Sequence, residues 1–245
     1  MIALMRAFVG EDGGGGNPAL VIRECAGDGW NDEDRMRVAV ENGVPATVFI
    51  ADGGDRVAPR IRIFGSYGLP IEFGGHPTLA TVEALHRWGV DVTSLRPNAG
   101  EVRTRRDSGT GMVHVTAPAS WSKPWRHLQL AAPETIDGLT ELPAGEDFTQ
   151  VWAWIDEPAG VIRARLWAPR INKGEDEACG SASMILADRL GRALTVIHGQ
   201  GRSVIRVTPH GEGVVELGGR CVEEPVPAAI EALVRDVREG LDRVR

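Results

Sequence analysis

A glycine-led helix start occurs twice in this chain. The first is Glu72-Phe73-Gly74-Gly75-His76-Pro77-Thr78, which runs into an apolar helical stretch, Leu79 to Trp88. The second is Glu175-Asp176-Glu177-Ala178-Cys179-Gly180-Ser181-Ala182-Ser183, which runs into Met184 to Leu190. Setting Gly75 on Gly180 aligns Gly-His-Pro-Thr-Leu-Ala with Gly-Ser-Ala-Ser-Met-Ile, at an offset of 105 in a chain of 245 residues. An offset near half the chain is what an internal duplication gives, so two similar halves are expected. The first-turn N–H groups of a helix lack intrahelical acceptors, and the helix dipole is positive there. Two halves that aim such ends at one cleft grip a small anion from both sides. In the second copy, Asp176 and Cys179 stand beside that anion, where a proton can be moved. For either copy taken alone a plainer reading stays open: Asp or Ser as helix cap, Gly for a turn, Cys as a small buried residue.

Charge and composition exclude several classes. The chain is 42% hydrophobic and 25% charged, with room for one large or two small domains. Its net charge is −7, from 27 Lys+Arg against 34 Asp+Glu. No broad basic field for nucleic acid and no basic amphipathic helix for a membrane surface are expected. Met1 to Val9 is a short apolar run before Gly10-Glu11-Asp12, without the length and flanks of a signal peptide. No run reaches the roughly 18 apolar residues of a transmembrane helix. Cys25, Cys179 and Cys221 are widely spaced. They form no disulfide framework and no Cys-x-x-Cys metal pair, which points to a reduced, cytoplasmic compartment.

Along the chain, Ile2 to Val9 and Pro18 to Arg23 read as strands joined by the glycine-rich Glu11 to Asn17. Asn31 caps a helix with acids in its first turn and Gly43 at its end. Strands follow at Ala46 to Ala51 and Arg60 to Phe64, with Gly53-Gly54 as a turn. Gly65 to Pro70 is a loop carrying Tyr67, the only tyrosine. After the first glycine-led helix come strands at Gly100 to Arg106 and Met112 to Ala117 around a Ser108-Gly109 turn. Pro118 to Pro143 lacks periodicity and is read as the crossover between halves, with Trp121 and Trp125 as packing residues. Phe148 to Ile155 and Val161 to Trp167 are strands, and Trp152 and Trp154 share one face. Beyond the second helix, which ends near Gly191, strands are expected at Ala193 to Ile197, Ser203 to Thr208 and Gly213 to Leu217. Pro227 to Val244 is an amphipathic helix with Ile230, Leu233, Val234, Val237 and Leu241 near one face. The order is mixed and rich in hairpins, which indicates an α+β fold. No dinucleotide fingerprint or phosphate-binding Walker loop is present, so no nucleotide cofactor is implied.

Several motifs, in order, resemble the phenazine-biosynthesis PhzF-like isomerases, which share the diaminopimelate epimerase fold. Ala7-Phe8 with Gly16-Asn17-Pro18-Ala19 is similar to the family's opening Asp-Ala-Phe…Gly-Asn-Pro-Ala. Phe73 to Leu79 is similar to its Gly-His-Ala/Pro-Thr-Leu loop. Ala168-Pro169 with Glu175 to Ala182 is similar to its Ala-Pro…Glu-Asp-Pro-Ala-Thr-Gly-Ser-Ala. Gly199-Gln200-Gly201-Arg202 and Gly218-Gly219-Arg220 fit the closing Gln-Gly and Gly-Gly-Arg signatures. The resemblance covers about Phe8 to Arg220. It implies two similar domains, each a β-barrel-like mixed sheet wrapped around a central helix, with the active site in the interdomain cleft. Domains are expected at 1–118 and 119–224, with 225–245 a C-terminal helix packing on a domain or a partner subunit.

The resemblance also implies chemistry: a cofactor-independent isomerase that moves a proton or double bond in a small carboxylate, with neither metal nor organic cofactor. Family membership suggests specialised metabolite or antibiotic biosynthesis and a homodimer. Asp176 and His76 match positions that contact substrate, and with Cys179 they are the expected catalytic set. Asn17, Gly75, Gly180 and Ser181 are expected to bind and orient. Two departures matter. The family's catalytic Glu, in Ser-Glu-Thr-Thr-Phe, is met here by Ala46 in Pro45-Ala46-Thr47-Val48-Phe49. Cys179 stands where those isomerases have Thr and where the epimerases have one catalytic cysteine, while the other epimerase cysteine falls at Gly74. Cys179 is therefore either a surrogate base or a small buried residue, and Glu72 and Glu41 are acidic alternatives for the lost base. An epimerase or racemase using Cys179, and a non-catalytic ligand-binding protein of the same fold, remain the alternatives.

Overall fold

The computed structural model describes residues 1–25, 29–51, 55–141, 147–169 and 173–243. The Gly53-Gly54 turn, Pro143 and Val244 lie outside them. The chain opens with β1 (Ile2–Val9). The first half continues through β2 (Asn17–Arg23), α1 (Asp32–Glu41), β3 (Ala46–Ile50), β4 (Ile61–Gly65), β5 (Pro70–Ile71), α2 (Gly75–Arg87), β6 (Ser94–Leu95), β7 (Val102–Arg106) and β8 (Val113–Pro118). The second half runs through β9 (Arg126–Gln129), α3 (Pro133–Asp137), β10 (Thr149–Asp156), β11 (Val161–Ala168), β12 (Lys173–Glu175), α4 (Gly180–Leu190), β13 (Leu194–His198), β14 (Ser203–Gly211) and β15 (Val214–Glu224). α5 (Ala228–Arg243) closes it.

The two halves share one topology. β2 is parallel to β3, and β9 is parallel to β10. β3, β4 and β5 are successively antiparallel, as are β10, β11 and β12. β6, β7 and β8 form one antiparallel set, and β13, β14 and β15 form another. α2 and α4 hold the same place in each. The halves are joined into one mixed sheet because β1 pairs with both β2 and β15, while the start of β15 also pairs with β8.

Alternation decides which face of the first half points where, because successive strand side chains point to opposite faces. Val48, Ile50, Ile61 and Ile63 point inward with Met5 and Ala7 onto α2, whose Leu79, Ala80, Val82, Ala84 and Leu85 are all buried. Phe49 and Phe64 point outward with Leu4, Leu20 and Ile22. That outer face is covered by Val38 and Ala39 of α1 and by Ile230, Val234 and Val237 of α5, with Leu233 and Leu241 at the margin. Burying such side chains contributes about 1.5–3 kcal/mol each. α1 starts at a full capping box. Asn31 Oδ1 accepts from the Asp34 N–H at 3.0 Å, and the Asp34 carboxylate accepts from the Asn31 N–H at 3.5 Å. No helix among the described residues is long and apolar enough to cross a membrane.

Two expectations are corrected and one is filled in. In the described part of the 118–143 crossover, up to Glu141, a 3-10 turn at Ala119–Trp121 is followed by β9 and α3, with Pro133 opening α3. The Gly65 to Pro70 loop leads into a short strand, β5. β15 runs on past Leu217 to Glu224 because its glycines are not a turn. A Cβ on Gly219 would lie 2.5 Å from the Phe8 ring, and one on Gly218 would lie 2.6 Å from His114, so both serve close approach within the strand.

Candidate active site

The two glycine-led helix starts meet. A Cβ built on Gly75 would lie 3.9 Å from Gly180 Cα and 2.4 Å from Leu217 Cδ2, and one on Gly180 would lie 3.0 Å from the same Leu217 methyl. Leu217 of β15 is thus wedged between the N-termini of α2 and α4: a Cβ at Gly75 would displace it, and one at Gly180 would fit only tightly. Neither helix start has a side-chain cap; the N-cap residues are Gly74 and Cys179. One turn on, the same bond recurs 105 residues apart. Thr78 Oγ1 donates to the Gly74 carbonyl at 2.7 Å, and Ser183 Oγ donates to the Cys179 carbonyl at 2.9 Å.

Phe8 forms the floor beneath Gly180. It sits at a β-bulge between Ala7 and Val9 with φ 69, an uncommon conformation for a bulky residue. Its fully buried ring comes within 3.1 Å of the Gly180 Cβ position.

Asn17 ties the halves together at this point. It pairs with Ala7 across β1 and β2, directly beside the bulge. Its Nδ2 donates to Asp176 Oδ1 at 2.6 Å and to the Ala178 carbonyl at 2.9 Å. Asp176 is buried, and its N–H donates to the Leu166 carbonyl at 2.8 Å. One residue earlier, Glu175 is held by a bidentate pair with buried Arg165, at 2.7 Å for both bonds. The Arg165 guanidinium also lies 4.6 Å over the Trp167 ring. This pairing raises the Arg165 pKa against the opposing effect of burial.

His76, the second residue of α2, is half-buried beside Gly75. Ser181, in the first turn of α4, accepts from Trp125 Nε1–H at 2.7 Å, and its Oγ is 3.5 Å from Cys179 Sγ. Beneath the Asp176 loop, His198 is fully buried, with Nδ1 3.0 Å from the Glu177 carbonyl. A carbonyl only accepts, so Nδ1 carries the hydrogen. Burial pushes the His198 pKa down, against the pull of Asp176 and Glu177.

A two-half α+β chain whose matching helix starts touch invites comparison with known proteins. The sequence model of the family described as Phenazine biosynthesis-like protein (PhzC-PhzF) matches residues 5–128, just over half of the chain. The chain belongs to this family. Its fold is similar to that of a PhzF-family phenazine biosynthesis protein from Enterococcus faecalis, at 20% identity and TM-score 0.72, covering 91% of this chain and 96% of that one. A PhzF-family protein from Bacillus anthracis matches at 17% identity and TM-score 0.69 over the same shares. A predicted epimerase from Pseudomonas aeruginosa matches at 18% identity and TM-score 0.58, again over 91% and 96%. The architecture is the diaminopimelate epimerase-like fold of the PhzF proteins.

Within that family fold, the departures acquire a physical setting. Ala46 is fully buried in the inner core, between Ala19 on β2 and Gly65 on β4. The Tyr67 ring fills the space where a Cβ on Gly65 would stand, at 2.4 Å. Ala46 is thus part of a patch of small residues beside the Tyr67 ring. Cys179 is 3% exposed and packs with Trp125, Leu166, Ala168 and Ala182. The acidic alternatives lie elsewhere: Glu41 is on the outer helix α1 and paired with Arg37 at 2.8 Å, and Glu72 is exposed. Sequence reading passed over Trp125 as mere packing and gave no role to Glu177, His198 or Arg165. The available signal was a charged or polar residue inside an otherwise apolar strand, as in Arg163-Ala164-Arg165-Leu166.

Proposed function

We propose that this protein is a cofactor-independent isomerase of the PhzF-like type, moving a proton or double bond in a small carboxylate. The observation behind it is the Asn17–Asp176 hydrogen bond at 2.6 Å, buried beside two touching, uncapped helix starts. Asp176 takes a proton from carbon next to the substrate's carboxylate. Asn17 uses both amide hydrogens, on Asp176 and on Ala178, and so holds the base in one orientation. The first-turn N–H groups at Gly75 and Gly180 face the carboxylate and the dienolate charge as it develops. Because Trp125 donates to Ser181 Oγ, the Ser181 hydroxyl hydrogen is left to turn toward substrate oxygen. His76 returns a proton at the second carbon.

Cys179 is the small residue in this scheme rather than the base, since its thiol is packed among apolar side chains. An epimerase would need a donor on each face, and Gly74 supplies none. A pure ligand binder keeps the helix starts and loses the proton transfer. Incubation of small unsaturated carboxylates in deuterated water tests the assignment. Deuterium at a new carbon supports isomerisation, deuterium at an inverted centre supports the epimerase, and tight binding without incorporation supports the binder.

The same proposal extends to the organisation of the molecule: domains at 1–118 and 119–224, a C-terminal segment from 225 whose helix packs on a domain or a partner subunit, and a cytoplasmic homodimer serving specialised metabolite biosynthesis.

A further inference from the structure

Glu177 is the one acidic residue of the 175–177 run that neither the proposed reaction nor the Arg165 pair uses. We propose that Glu177 is a positioning residue, which sets the register of the Gly13 to Asn17 segment against Asp176 and thereby fixes the Asn17–Asp176 hydrogen bond. This rests on the reading of Asp176 as the base and adds the device that holds it.

The connection is continuous. Glu177 Oε1 accepts from Ser203 Oγ at 2.8 Å, and Oε2 accepts from the Gly201 N–H at 3.0 Å. Ser203 is fully buried, and its Oγ in turn accepts from the Gly16 N–H at 2.6 Å. Gly16 is joined covalently to Asn17, whose amide returns to Asp176 and Ala178, the residues on either side of Glu177. The path closes on itself. Glu177 is also held from behind, where its carbonyl accepts from His198 Nδ1 at 3.0 Å.

The glycines around this ring are explained by it. A Cβ on Gly201 would stand 2.8 Å from Glu177 Oε1 and 2.7 Å from Gly15 Cα. One on Gly199 would stand 2.5 Å from the Glu177 carboxylate, and one on Gly15 would stand 2.6 Å from Ser203 Oγ. The Glu177 carboxylate and backbone crowd Gly199 and Gly201, while Ser203 and the Gly201 backbone crowd Gly15, so the ring closes tightly around all three. A run of four glycines is the most mobile backbone a chain can place before a site residue. Charge-assisted bonds are the strong ones, roughly twice as strong as neutral bonds. The β1–β2 ladder and Arg6, which donates to the Gly13 carbonyl at 3.0 Å, place the backbone here, and the carboxylate clamp adds a charge-assisted tie through Ser203 to Gly16, next to Asn17.

The test follows the Asn17 side-chain amide directly, by NMR on the 15N-labelled full chain, with the Asn17 pair assigned by its loss in Asn17→Asp. In Glu177→Ala and Ser203→Ala, the Asn17 amide hydrogens are expected to exchange with solvent at least about tenfold faster than in wild type. Amides in the α2 core should be unchanged. Glu177→Gln keeps one acceptor oxygen and should fall between. With a substrate found by the deuterium screen, the same variants should lose kcat about tenfold while KM stays within about twofold. Unchanged Asn17 exchange in both Glu177→Gln and Ser203→Ala overturns the inference, as does an equal rise at Asn17 and in the α2 core. If Glu177→Ala does not fold, those two variants decide. Should the wild type turn over no substrate, the proposed function fails while the amide readout still decides this inference.

Discussion

Asp176 and Cys179 lie three residues apart in sequence, yet burial and partners give them different chemistry. Asp176 has an oriented donor in Asn17, whereas Cys179 has an apolar surround and a weak contact to Ser181. Asp176→Asn keeps shape and removes basicity, so turnover should fall by at least about 100-fold, read from initial rates. Cys179→Ser should be nearly silent in kcat; a loss matching Asp176→Asn would make the thiol the base after all. Gly75→Ala brings a methyl to within 2.4 Å of Leu217. Overpacking of that kind costs about 1–3 kcal/mol, so a denaturant midpoint should drop measurably. The need for glycine at 75 and 180 was visible in sequence as a repeated pattern. Its cause was not, because Leu217 and Phe8 come from strands far away in the chain.

At the scale of elements, local signals performed well wherever they were self-contained. The Asn31 capping box satisfies two backbone donors with side chains three residues apart. Asn31→Ala should destabilise the fold by about 1 kcal/mol in urea titration. α5 shows an apolar stripe in sequence, and its Ile230, Val234 and Val237 are buried against Leu4, Leu20 and Ile22. Ile230→Ala should cost about 2 kcal/mol or more by the same measurement. β9 and α3 were missed for a physical reason. β9 is only partly buried along its four residues, so no alternation marks it, and it exists because β10 offers a parallel edge. α3 has five residues and one fully buried side chain, Ile136. Elements this short carry no period of their own.

Across the whole molecule, titration couples to stability through buried His198 and half-buried His114 and His127. Burial lowers the pKa of His198 and His127 below the ordinary value of 6.5, and burial together with Arg105 lowers that of His114. A depressed folded pKa means that the unfolded chain binds the proton first. Their contribution is therefore complete above about pH 6.5 and is lost as pH falls below it. The limiting slope is about 1.4 kcal/mol per pH unit for the fully buried His198 and less for the half-buried His114 and His127. Urea midpoints should fall between about pH 7.5 and about pH 5.5, and His198→Gln should flatten that fall.

The duplication, the α+β class, the helix starts at Gly75 and Gly180, and the family are all legible in the order of the residues. Each of these depends on residues close together in the chain or on a pattern repeated at one offset, and both survive without coordinates. Tertiary structure alone decided how the two starts touch, that Leu217 separates them, and that Asn17 reaches Asp176 across 159 residues. It also brings Ala46 opposite Gly65, beside Tyr67, and the Glu177 carboxylate to Ser203, which accepts from the Gly16 N–H. The contacts between the halves depend on β1 and β15 pairing at their junction. Pairing between strands more than 200 residues apart leaves no mark on local composition.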